Sequence, residues 1–150
     1  MEKLHQDYRE FIKLLNENKV EYLVVGAFAM AFHGHPRYTG DIDFWIRNND
    51  QNAGKVYKAI IDFGFPSDDI TAKDFTIEDL IFQMGYPPVR IDVFTSISAL
   101  DFGESYSRKE LKNIDGLSVS FLNIEDLKKN KKAVGRKKDM ADLEALSKHK

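Results

Sequence analysis

Val24-Val25-Gly26-Ala27-Phe28-Ala29-Met30-Ala31-Phe32-His33-Gly34-His35-Pro36-Arg37-Tyr38-Thr39-Gly40-Asp41-Ile42-Asp43-Phe44-Trp45-Ile46 decides the fold of this chain. It reads as a buried strand, a glycine turn, a short apolar helix, a polar loop and a second strand carrying Asp41 and Asp43. Residues two apart on a strand project from one face, so the two aspartates stand side by side while Ile42 and Phe44 go to the opposite face. Neighbouring carboxylates repel each other and lose hydration. Either both face water at a strand edge, or a cation neutralises them. Hard oxygen ligands suit Mg2+, which takes one or two protein carboxylates together with substrate phosphates.

A third acid favours the cation. Val89-Arg90-Ile91-Asp92-Val93-Phe94 is an apolar strand with Asp92 in its middle, and a lone carboxylate is almost never buried without a partner. Three acids on two neighbouring strands make a metal cup of Asp41, Asp43 and Asp92.

Outward from this centre, Leu4, Tyr8, Phe11, Ile12 and Leu15 recur at helical spacing and predict an amphipathic helix over Leu4–Glu17. Tyr22–Val25 reads as a strand, Ala27–Phe32 as a helix stopped by Gly34 and Pro36, and Ile42–Ile46 as the acidic strand. Asn49 or Asp50 caps a helix reaching Phe63, with Gly64 at its end. Ser67–Asp79 is mixed and polar. Leu80–Met84 and Val89–Phe94 are strands joined by Gly85-Tyr86-Pro87-Pro88, and Leu117–Leu122 is a further strand. Asn123 starts a helix with Glu125 and Asp126 in its first turn. A last helix over Lys138–Ser147 presents Met140, Leu143 and Leu146 on one face.

The 150 residues, 43% hydrophobic and 31% charged, suit one globular domain. No apolar run approaches the ~20 residues that cross a bilayer, and the first residues do not read as a signal peptide, so the expected compartment is the cytoplasm without membrane attachment. The absence of cysteine excludes disulfides, thiolate zinc sites and a cysteine nucleophile. The net charge of −2 hides an asymmetry: residues 121–150 carry +4 and the rest −6. A basic tail is either a solvated helix face or a grip for phosphates or nucleic acid.

The chain resembles the DNA polymerase β-like nucleotidyltransferase superfamily, and within it the small bacterial stand-alone members related to AbiEii-type nucleotidyltransferases. Val25-Gly26-Ala27, Asp41-Ile42-Asp43 and Arg90-Ile91-Asp92 fill the superfamily's slots for the glycine turn, the paired acids and the later acid. The narrower group's His-Gly-x-x-Arg-x-Thr-x-Asp-x-Asp run lies at His33–Asp43. Its C-terminal run is matched by Asn130, Lys131, Gly135, Arg136, Lys138, Asp139, Asp142 and Leu143-Glu144-Ala145-Leu146. One departure is Ala27, where many members have a serine or glycine.

The resemblance implies an α/β (α+β) fold: a minimal core with a mixed sheet flanked by helices, followed by C-terminal helices. It divides residues 1–150 into an N-terminal helix (1–20), a catalytic core (21–122) and basic C-terminal helices (123–150). It also implies transfer of NMP from an NTP to a hydroxyl of a tRNA end, a protein or a small molecule, with release of pyrophosphate. Two Mg2+ or Mn2+ ions on Asp41, Asp43 and Asp92 would support the transfer. Gly26 and Ala27 would face the phosphates, Lys131, Arg136, Lys138 and Asp139 would lie near the nucleotide, and Asp139 would orient Lys131. Arg37 suits a phosphate or a salt bridge to the aspartates, Thr39 binds phosphate or shapes the loop, and His33 touches substrate or serves as a local structural donor. A cognate partner protein or a second copy could complete the acceptor site, as in a toxin–antitoxin pair. The competing reading is a nucleotide-binding or partner-binding regulatory module with little turnover.

Overall fold

The computed structural model of the protein describes residues 4–34, 40–65 and 68–148. Helix α1 (Gln6–Glu17) buries Tyr8, Phe11, Ile12 and Leu15, and a ring nitrogen of His5 accepts the Asp7 amide at its start. Strand β1 (Tyr22–Val25) is buried along its whole length and runs into the short helix α2 (Gly26–Phe32). Strand β2 (Asp41–Ile46) carries the paired acids. The side chain of Asn49 accepts the Asn52 amide at 2.8 Å and starts helix α3 (Asp50–Asp62). Ahead of β3 (Ile81–Met84), the polar stretch forms one 3-10 turn, Ala72–Thr76, which buries Phe75.

Strands β3 and β4 (Arg90–Phe94) pair antiparallel, as their sequence flanks suggest. Two elements fall outside the sequence reading: helix α4 (Phe102–Ser107) and strand β5 (Glu110–Ile114). Strand β6 (Leu117–Phe121), helix α5 (Ile124–Val134) and helix α6 (Lys137–Lys148) complete the order. The inward face of α6 differs from its expected apolar stripe. Met140 is 51% exposed, whereas Asp139, Asp142 and Leu146 are buried. The reason is that the ammonium of Lys131 on α5 is itself buried and draws both carboxylates inward.

Among the described residues the strands form one mixed sheet in the order β3-β4-β2-β1-β6-β5. The α/β class with helices flanking a mixed sheet therefore holds. Alternation sorts the sheet into two faces. On one, Phe44 meets Phe11 of α1 edge-on at 5.4 Å, and Phe82 meets Phe75 at 5.8 Å. On the other, Trp45 meets Phe102 of α4 at 5.0 Å. Each fully buried side chain of this size contributes about 1.5–3 kcal/mol, enough to hold β2 and β4 in fixed register. The acids lie next to one another on these two strands, on the Trp45 face. No described helix is long and apolar enough to cross a membrane.

Candidate active site

Strands β2 and β4 run parallel, with Asp41 opposite Arg90 and Asp43 opposite Asp92. Since 41 and 43 share a face, and so do 90 and 92, four charged residues form a square on the sheet. Asp41, Asp43 and Asp92 each bring one carboxylate oxygen within 4.8 Å of the others. Arg90 fills the fourth corner. Its Nη2 donates to Asp41 Oδ2 at 2.6 Å, and its Nε donates to Asp92 Oδ1 at 2.8 Å.

The square is electrostatically uneven. Asp43 Oδ1 is buried and has no hydrogen-bond partner. Burial first, then Asp41 and Asp92, push the Asp43 carboxyl up to about 8, against the pull of Arg90 and Lys138. Burial also raises Asp92, even though Arg90 hydrogen-bonds to it. The excess negative charge reaches Tyr8, whose hydroxyl donates to the Pro88 and Arg90 carbonyls. Burial, followed by the three aspartates, pushes that phenol up to about 12. A buried carboxylate oxygen without a donor, beside two more carboxylates, fits a divalent cation with hard oxygen ligands.

Gly26 makes this crowding possible. A Cβ at that position would lie 2.5 Å from Asp43 Oδ2, and the backbone there has a φ of +70°. Glycine is the residue that tolerates both. Val25, the residue before it, pairs with Asp43 across β1 and β2.

A cleft of about 530 Å3 opens over the acids, within the ~300–1,000 Å3 typical of small-molecule sites. Gly26 and Ala27 border it on the α2 side, and Arg136 and Lys138 on the α6 side. Ala27 contributes no hydroxyl. Lys131 and Asp139 also line the cleft, but Lys131 is only 4% exposed and donates to Asp142 Oδ2 at 2.8 Å, with Asp139 Oδ1 at 3.7 Å. Asp142 is thus the nearer partner of Lys131. Arg136 holds Asp139 through Nε at 2.6 Å and Nη2 at 3.1 Å, while much of its side chain stays exposed.

Arg37 and Thr39, together with His35, lie outside the described residues. His33 Nε2 donates to the Leu122 carbonyl at 3.0 Å and sits 3.7 Å from Glu110, fastening the end of α2 to the sheet. It does not line the cleft. Sequence reasoning gave Arg90 and Asp142 no role. For Arg90 the signal was present: a cation two residues before an acid on one strand shares its face.

The fold is that of nucleotidyltransferases. It is similar to a candidate nucleotidyltransferase from Thermotoga maritima (TM-score 0.63, 14% identity, 95% of this chain and 91% of that one). It is also similar to an antigenic nucleotidyltransferase-like protein from Paracoccidioides brasiliensis (TM-score 0.55, 17% identity, 93% and 74%). Residues 4–150 match the family described as "Nucleotidyl transferase of unknown function (DUF2204)", and the chain belongs to it. No curated protein matches it.

Proposed function

We propose that the protein moves a nucleoside monophosphate from a nucleoside triphosphate to a hydroxyl acceptor in a divalent-metal-dependent reaction. The observation that carries this reading is the acid triad with its unpartnered buried oxygen, Asp43 Oδ1, on the floor of the cleft. Asp41, Asp43 and Asp92 would hold Mg2+ or Mn2+, as one ion or a pair. Bound there, the metal would offset the charge of the phosphate oxygens and of the attacking oxygen.

The chain's own residues supply the rest. An acceptor oxygen forms a bond to the α-phosphorus, the bond from that phosphorus to the bridging oxygen breaks, and pyrophosphate leaves. In this reading Asp92 takes the acceptor's proton. Lys138, on the α6 side of the cleft, neutralises the triphosphate, while Arg136 stays paired with Asp139. Holding both reactants over one acidic floor removes most of the entropic cost of their meeting.

The exposed Lys138 at the cleft and the net charge of +4 over residues 121–150 favour a polyanionic acceptor such as an RNA end over a protein side chain or a small molecule. A cognate partner or a second copy would complete that surface, and a toxin–antitoxin role fits the same chemistry. Incubation with each labelled triphosphate, Mg2+ and candidate acceptors, read by pyrophosphate release and acceptor mass, tests the reading. Asp43→Asn should lower turnover by about 10³-fold or more, roughly 4 kcal/mol of barrier. Wild-type turnover in that variant overturns the assignment. Ala27, which offers the phosphates no hydroxyl, supports a second reading as a nucleotide-binding module. Thermal stabilisation by nucleotide without pyrophosphate release would favour it.

A further inference from the structure

The acid square holds one cation already. Arg90 Nη2 donates to Asp41 Oδ2 at 2.6 Å and to Asp92 Oδ2 at 3.0 Å, while Nε donates to Asp92 Oδ1 at 2.8 Å. Both oxygens of Asp92 are therefore engaged by the same guanidinium, and the Asp92 side chain is only 4% exposed. No divalent ion can use Asp92 without sharing those oxygens or driving the guanidinium from them.

We propose that Arg90 is the resident counter-ion of the triad, a tethered cation that the entering metal displaces from Asp92. The inference rests on the metal-binding reading of the triad. Two observations favour displacement over a purely orienting role. Backbone register already sets Asp43 opposite Asp92 and fixes residues 41 and 90 side by side, so the acids come together without help from the guanidinium. The Arg90 side chain is also 28% exposed, leaving it a path towards solvent. A guanidinium does not lose its proton in a protein, so it cannot yield by neutralisation and has to move. While it remains, it repels a second cation at short range in a half-buried site.

Arg90 thus acts in two opposing ways. It steadies the metal-free protein by offsetting carboxylate repulsion, and it weakens metal binding by competing for ligand oxygens. An orienting residue would strengthen both.

The experiment is Mn2+ titration by calorimetry without nucleotide, paired with melting in EDTA, on the full chain. Arg90→Gln should melt lower in EDTA and bind Mn2+ about tenfold tighter than wild type, because a like charge has been removed beside the ion. Unchanged or weaker Mn2+ binding in a folded Arg90→Gln overturns the proposal. If that variant does not fold, Arg90→Lys takes its place: it keeps the charge but cannot grip Asp92 with two donors, and should tighten binding about threefold. No tightening there overturns the proposal equally. Asp43→Asn separates the two levels. If wild type and Asp43→Asn alike bind no Mn2+, the metal reading fails and takes this one with it. If Asp43→Asn loses binding that wild type has, while the Arg90 variants bind no tighter, only the Arg90 role fails.

Discussion

Two clusters of acids stand at one cleft, lined by Asp41, Asp43 and Asp92 of the first and Asp139 of the second, and they are neutralised to different degrees. On β2 and β4, three carboxylates share the guanidinium of Arg90, and one buried oxygen is left without a donor. Between α5 and α6, Asp139 and Asp142 face Lys131 and Arg136, two negative charges against two positive, at contacts as short as 2.6 and 2.8 Å. The first cluster is left unbalanced, as the proposed cation site requires. The second is internally satisfied and locks two helices against each other, which sets the far wall of the cleft. Proximity to a site and participation in it are different properties, and charge balance separates them.

Lys131→Met leaves two buried carboxylates facing each other and should cost about 3–5 kcal/mol of stability, measured by urea denaturation. A loss below 1 kcal/mol would deny that the α5–α6 cluster is a strut. Gly26→Ala comes next. The added methyl overlaps the Asp43 carboxylate and sits at a positive φ, so a loss of about 1–3 kcal/mol is expected. Metal-dependent stabilisation should fall with it, because Asp43 is pushed from its place.

Asp43→Asn should go the other way. Asparagine spares the metal-free fold the cost of burying or protonating this carboxyl, so stability in EDTA should rise by about 1 kcal/mol while turnover collapses. A destabilised Asp43→Asn would show that the triad also serves the fold.

The smallest effect concerns pH. Burial raises Asp139, but the hydrogen bonds and charge of Arg136, together with Lys131, outweigh it and hold the carboxyl below its ordinary value of 3.8. Such a group stabilises the fold above its unfolded-state value and loses that contribution as pH falls through its folded-state value. Stability should therefore decline with acidification below about pH 4, in the window this linkage sets. Asp139→Asn should flatten that limb in denaturation curves taken at successive pH values.

The strands and helices around the acids were legible because their signals are strong and local. β1 is four buried apolar residues, β2 alternates, and α1 and α3 have clear stripes with recognisable ends. Helix α4 left little trace: Phe102–Ser107 is six residues with a glycine and two serines, too short for a period, and it starts only because Asp101 accepts the Glu104 amide. Strand β5, Glu110–Ile114, is an edge strand with three exposed positions, so its alternation is weak.

Its signal lay in the next residues. Asp115 and Gly116 both have positive φ and join Ile114 to Leu117 in a two-residue hairpin, for which Asp-Gly is a strong cue. Within the site, the three acids could be named from the sequence because carboxylates in apolar strands stand out. The α6 face could not be read this way, because hydrophobicity marks Met140 and Leu143, while the buried ammonium that turns Asp139 and Asp142 inward comes from another helix.

Asp92 lies between Ile91 and Val93, both buried among the aromatic residues of the opposite face. A slip of this strand by one position would take the acid out of the cleft and drive it into that greasy layer, while an aliphatic side chain came to rest among the carboxylates. Such a mispaired chain would forfeit its core together with its chemistry. Core and acids are thereby aligned together: the register that buries Ile91 and Val93 is the one that sets Asp43 beside Asp92.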